Sequence, residues 1–125
     1  MVTRINYSSL PQVKGPYVHA VKHQGLLYIS GLTALGTESQ QHGVESQTLT
    51  ILQQITSILE QEKCHKSDLI KFTIFVKDIN QIPLIRPLLF NFCEGNLPAC
   101  SLVEISNLIH QDLQIEIESV VAVRD

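Results

Sequence analysis

The spacing of apolar residues changes period along the chain, and that change restricts the folds open to it. Over residues 45–62, Leu49, Leu52, Ile55, Ile58 and Leu59 recur at intervals of three and four, with Gln, Ser and Glu between them. Side chains so spaced share one face of a helix, so the stretch predicts an amphipathic helix with one buried stripe. Leu69–Val76 then alternates. Ile70, Phe72, Ile74 and Val76 point one way and Lys71 and Thr73 the other, in a segment rich in strand formers. Ile82, Ile85, Leu88, Leu89 and Phe92 restore the helical spacing, and Asp78 or Asn80 can cap that second helix. Alternation returns over Cys100–Ile105 and Gln114–Val123. In the last stretch Ile115, Ile117, Val121 and Val123 share one face, with Glu116 and Glu118 on the other.

Ahead of the first helix, Val18–Lys22 and Leu26–Ser30 flank His23-Gln24-Gly25, where Gly25 suits a tight turn. The pattern predicts a β-hairpin. A short extra strand is expected near Arg4–Tyr7, and Gly31–Gly43 reads as a polar loop, with Gly15 and Gly31 as turn formers. The order is β-β-α-β-α-β-β. Separated helices on a mostly antiparallel or mixed sheet make a two-layer α+β fold. Two helices cover only one sheet face. The other carries Val120 and Ala122 beside Glu116 and Glu118, a partly apolar surface that points to oligomerisation. Pro83 falls in the first turn of the second helix, where it is tolerated. Pro87 lies deeper, where a regular helix loses about 3 kcal/mol or more. A kink, or a break near Arg86, is expected.

A chain of 125 residues, 44% hydrophobic and 17% charged, supports one core, so residues 1–125 form a single domain without a linker. The net charge is −3 and the nine basic residues form no run, which argues against nucleic acid as a partner. There is no apolar run long enough to span a membrane and no leader-like N-terminus. The three cysteines, Cys64, Cys93 and Cys100, are odd in number and lack CxxC spacing, which suits free thiols in a reducing compartment. A cytoplasmic protein is expected. The five histidines show neither HxH nor HExxH spacing, so no metal site is expected.

Five segments follow one another at intervals matching a known family. They are Gly15-Pro16-Tyr17, Tyr28-Ile29-Ser30-Gly31, Lys71-Phe72-Thr73-Ile74-Phe75-Val76-Lys77-Asp78-Ile79, Leu97-Pro98-Ala99-x-Ser101 and Ile115-Glu116-Ile117-Glu118. Together they resemble the RidA family, also called YjgF-like. The resemblance implies a chorismate-mutase-like fold with a six-stranded sheet and two helices, assembled as a homotrimer with ligand clefts between subunits. It also implies hydrolysis of enamine or imine intermediates such as 2-aminoacrylate to a 2-keto acid and ammonia, without metal or organic cofactor.

The family's Pro-Ala-x-Ser motif usually carries an arginine that clamps the substrate carboxylate. This chain has Cys100 there. By resemblance, Tyr17 lines the pocket, Ser30 offers a hydrogen bond, and Glu116 positions or deprotonates the attacking water. Arg86 aligns with a further pocket position and is expected to supply the displaced cation. Cys100 itself has two readings: a reactive thiol paired with His19, or a small neutral filler, the commoner state of a free cysteine. Glu118 reads as structural. Three functional expectations follow: a small-metabolite imine deaminase, a non-catalytic ligand-binding trimer, or an interaction or nuclease role that the acidic balance disfavours.

Overall fold

The hairpin around Gly25 closes through two residues with positive φ, Gln24 at 50° and Gly25 at 78°. That geometry matches the right-handed twist of the flanking strands. It joins β2 (Ala20–His23) to β3 (Leu26–Leu32), and β1 (Thr3–Ile5) pairs with the outer side of β2. The computed structural model describes residues 1–124. Within it, α1 (Gly43–Gln61) precedes β4 (Leu69–Val76), and α2 (Ile82–Cys93) precedes β5 (Ala99–Glu104) and β6 (Ile115–Ala122). A short helical turn before α2 is capped by Asp78, whose side chain accepts from the Asn80 amide at 2.9 Å.

The six strands form one mixed sheet in the order β1-β2-β3-β6-β4-β5. Both β3 and β4 run antiparallel to β6, so they are parallel to each other, and β5 is parallel to β4. Parallel neighbours need crossovers, and α1 and α2 are those crossovers. Both helices therefore lie on one face. Leu27, Ile29 and Leu32 of β3, Phe72, Ile74 and Val76 of β4, and Ile115, Ile117 and Val121 of β6 meet Ile51, Ile55, Ile58 and Ile85 in a buried core. The described residues place no layer over the opposite face. Tyr28, Ile70 and Val103 are more than two-fifths exposed.

Three details depart from the sequence expectation, each for a physical reason. Leu49 is 47% exposed and Ile51 is fully buried in its place. The buried stripe runs from Val44 through Thr48, Ile51, Ile55 and Ile58. Leu49 is two residues from Ile51, which places it about 200° around the helix. Ile70 is exposed whereas Leu69 is buried, because the pairing of β4 with β6 slips between Leu69 and Lys71. An extra residue in a bulge reverses the side-chain alternation on one side of it. Finally, α2 is not broken near Arg86 but runs through Pro87 to Cys93. Pro83 and Pro87 both lie on its exposed side, while Ile85, Phe92 and Cys93 bury the opposite side along most of its length. The helix stops at Glu94 and Gly95, whose φ values of 50° and 85° are left-handed.

Candidate functional site

The predicted site residues fall into two groups in one chain. The first surrounds a second bulge. Between Ile29 and Leu32 the register of β3 against β6 shifts, so Ile29 pairs with Ser119 and Leu32 with Ile117. Ile29 and Leu32 both point into the core, and Ser30 and Gly31 are displaced between them. Bulges re-aim side chains in this way at sheet edges and beside functional sites. The Ser30 hydroxyl donates to the Val18 carbonyl at 2.7 Å, so its oxygen keeps acceptor capacity toward a ligand. Tyr17 is 53% exposed, and its ring lies over Gly15, where a Cβ would come within 2.7 Å of Cε1. Tyr17, Ser30 and Gly31 share a shallow hollow of about 90 Å³.

Glu116 reaches this bulge from β6. It pairs with Phe75, so its side chain lies on the face away from the helices. A Cβ on Gly31 would lie 2.7 Å from the Glu116 carboxyl carbon. Position 31 therefore seats the carboxyl group, a role beyond turn formation. Burial raises the pKa of Glu116, and the neighbouring negative charge of Glu118 raises it further. A carboxylate so placed is a stronger base than an exposed one.

His19 serves the fold. Its Nδ1 accepts from the Tyr7 amide at 2.9 Å, which leaves the proton on Nε2, 2.9 Å from the Pro11 carbonyl. The ring is 5% exposed and ties the segment before β2 to the N-terminal strand. Cys100 lies on β5, at the far edge of the sheet from β2, so the two residues form no Cys–His pair.

The second group lies between α2 and the β4–β5 edge. In parallel pairing Cys100 stands beside Phe72, and its thiol faces the helix layer. Arg86 and Cys100 line one cavity of about 350 Å³. The rest of its lining is apolar, Phe72, Ile85, Leu89 and Leu102 among it, with Cys93 as a second thiol. Burial raises the pKa of Cys100, and Lys71 opposes that only partly. The net shift runs away from the lowered pKa that a reactive thiol needs. Arg86 has no salt-bridge partner among the described residues.

One chain thus brings Arg86 and Cys100 together, and Tyr17, Ser30 and Gly31 together with Glu116 against Gly31. It does not bring the two groups together, because Glu116 and Cys100 point to opposite faces of the sheet. Among the described residues no group of His, Cys, Asp and Glu is arranged to hold a metal ion. Among the same residues no helix is long and apolar enough to cross a membrane. Sequence reasoning missed Gly31 as the seat of Glu116 and the apolar walls around Arg86. The second had a signal in Phe90 and Leu97, large apolar residues beside polar ones near the Pro-Ala-x-Ser motif.

The sequence pattern of the family described as Endoribonuclease L-PSP matches residues 7–123. A RutC family protein of Buchnera aphidicola is 28% identical over 123 residues, covering 96% of each chain. A 2-iminobutanoate/2-iminopropanoate deaminase of Dermatophagoides farinae is 26% identical over 116 residues, covering 90% of each. Among solved structures, a Yersinia pestis protein of the conserved Rid family superposes with a TM-score of 0.89 at 29% identity, over 98% of this chain and all of that one. The match of pattern, fold and length has one consequence: this chain belongs to the Endoribonuclease L-PSP family, the RidA or YjgF-like proteins.

Proposed function

We propose that this chain binds small carboxylates bearing an imine or enamine and hydrolyses them to a 2-keto acid and ammonia, in clefts between subunits of a homotrimer. The observation that carries the reading is the half-buried Glu116 carboxyl, made more basic by its surroundings and seated on Gly31 beside the Tyr17–Ser30 hollow. Glu116 takes a proton from water, and the hydroxyl adds to the C=N carbon. Glu116 returns that proton to the nitrogen, which gives the neutral carbinolamine; it then takes the carbinolamine's hydroxyl proton and passes it to the nitrogen as the C–N bond breaks, leaving ammonia and the C=O group. Tyr17 and Ser30 shape the pocket. Arg86 supplies a cation for the substrate carboxylate in place of the arginine that Cys100 replaces.

The separation of the two groups within one chain supports assembly. A cleft bounded by the Glu116 group of one subunit and the Arg86–Cys100 group of the next would hold both. The uncovered sheet face, with Tyr28 and Val103 exposed, supplies apolar surface for the contact. Three free cysteines suit a cytoplasmic setting. The name of the Dermatophagoides relative is consistent with deaminase chemistry. The endoribonuclease description of the family has less support here, since a net charge of −3 offers phosphate little attraction.

A second reading, a trimer that binds its ligand without turnover, is favoured by the neutral thiol at Cys100. The test is acceleration of pyruvate release from 2-aminoacrylate generated in situ by a serine dehydratase. Acceleration that disappears in Glu116→Gln supports the deaminase. Intact trimers with no acceleration defeat it and leave the binding reading, and Cys100→Arg then shows whether one residue restores activity.

A further inference from the structure

The cavity between α2 and the β4–β5 edge has one cation set among apolar walls. Its volume, about 350 Å³, falls within the roughly 300–1,000 Å³ of sites that take small organic ligands. Arg86 is its only charged lining residue among the described residues. Phe72, Ile85, Leu89 and Leu102 form its interior, and Phe90 stands at its mouth, 59% exposed. Cys93 and Cys100 add two thiols without charge, since burial raises both pKa values. A ligand the size of pyruvate would meet Arg86 and leave most of these walls against water. A carboxylate with a branched or aromatic body would cover them while keeping its charge on the guanidinium.

We infer that this cavity selects 2-imino and 2-keto acids with bulky apolar side chains, of the branched aliphatic or aromatic kind, over those with a methyl group. The inference rests on the proposed role of Arg86 as the anion holder. It adds the substrate class, which the chemistry at Glu116 leaves open. Position 100 takes part in the selection. A long cationic side chain there would fill the cavity beside Phe72, whereas the small thiol leaves room for the ligand's apolar body.

Calorimetric titration of the assembled protein with stable 2-keto acids reads this directly, without turnover. Each buried methylene is worth about fourfold in affinity, so 4-methyl-2-oxopentanoate should bind at least about tenfold tighter than pyruvate, and phenylpyruvate likewise. Phe90→Ala, at an exposed position that leaves the core intact, should reduce the preference severalfold. Either bulky ligand should slow alkylation of Cys100 by N-ethylmaleimide, followed by peptide mass spectrometry. Equal or tighter binding of pyruvate overturns the inference, as does alkylation of Cys100 at an unchanged rate under saturating 4-methyl-2-oxopentanoate. Preference for bulky acids with no hydrolysis of any imine defeats the deaminase reading alone. Hydrolysis of 2-aminoacrylate with no preference defeats the cavity assignment alone.

Discussion

The two groups of candidate residues differ in how the fold makes them. At Glu116 the chain uses backbone irregularity. A bulge in β3 displaces Ser30 and Gly31, and the absence of a side chain at Gly31 lets a carboxyl group settle where its pKa rises. At Arg86 the chain uses regular elements. A helix through Pro87 and a parallel strand pair leave a gap between them, lined by apolar side chains and one guanidinium. The first region has the means to move a proton, and the second has the means to hold an anion with an apolar body. Neither is a complete site for imine hydrolysis, so the proposed chemistry depends on a second copy of the chain.

The sharpest way to separate the regions is to disable one and leave the other. Glu116→Gln keeps the shape of the first region and removes its base. Turnover should fall at least about a hundredfold, the usual share of a general base, while affinity for 2-keto acids stays within about twofold. A parallel loss of affinity would mean that Glu116 holds the ligand. Arg86→Ala is the converse. Charged hydrogen bonds contribute roughly 1.5–3 kcal/mol, so KM for a carboxylate substrate should rise about tenfold to a hundredfold with a smaller change in kcat. Unchanged binding would remove Arg86 from the site.

Gly31→Ala probes the first region through its seat. The added methyl would meet the end of a flexible side chain, so the fold should yield little and the carboxyl group should move. A fall in kcat of about tenfold is expected, with the melting temperature nearly unchanged. A large drop in melting temperature would make Gly31 a residue of the fold only.

The smallest effect concerns stability. The folded-state pKa of Glu116 is raised by burial and by Glu118. The folded chain therefore holds this proton more tightly than the unfolded chain. Its contribution is fully present at low pH and is lost as pH rises from the ordinary carboxylate value through the raised one. Glu116→Gln abolishes that loss, so at pH 7 the variant should melt slightly above wild type, and the gap should close near pH 4. Activity has the opposite dependence, since the base works only when deprotonated, and should fall as pH drops through the raised value. A variant less stable than wild type at pH 7 would show that the carboxylate is well solvated or paired.

Much of this architecture is written in local spacing. The alternation of Ile115, Ile117, Val121 and Val123 defines β6, and the stripe through Leu52, Ile55, Ile58 and Leu59 defines α1. Both depend only on neighbours along the chain. The features that misled or escaped depend on partners distant in sequence. Ile70 looks inward by alternation and is turned out by a register slip against β6. Ser30 and Gly31 look like ordinary strand residues until β6 is laid beside them. The direction of the Cys100 thiol follows from the parallel pairing with Phe72, which nothing near position 100 encodes. Pro87 is a different case. Its local cost is real, but burial of Ile85 on one side and Phe92 and Cys93 on the other holds the helix through it.

The central claim is that the base and the cation of one working site come from different subunits. Co-refolding Glu116→Gln with Arg86→Ala tests it most directly. A cleft between an Arg86→Ala subunit that keeps Glu116 and a Glu116→Gln subunit that keeps Arg86 would have both groups. Random assortment would make about a quarter of the clefts complete, so the mixture should recover about a quarter of wild-type turnover at low substrate concentration. Activity no greater than the average of the two separate variants would contradict the account.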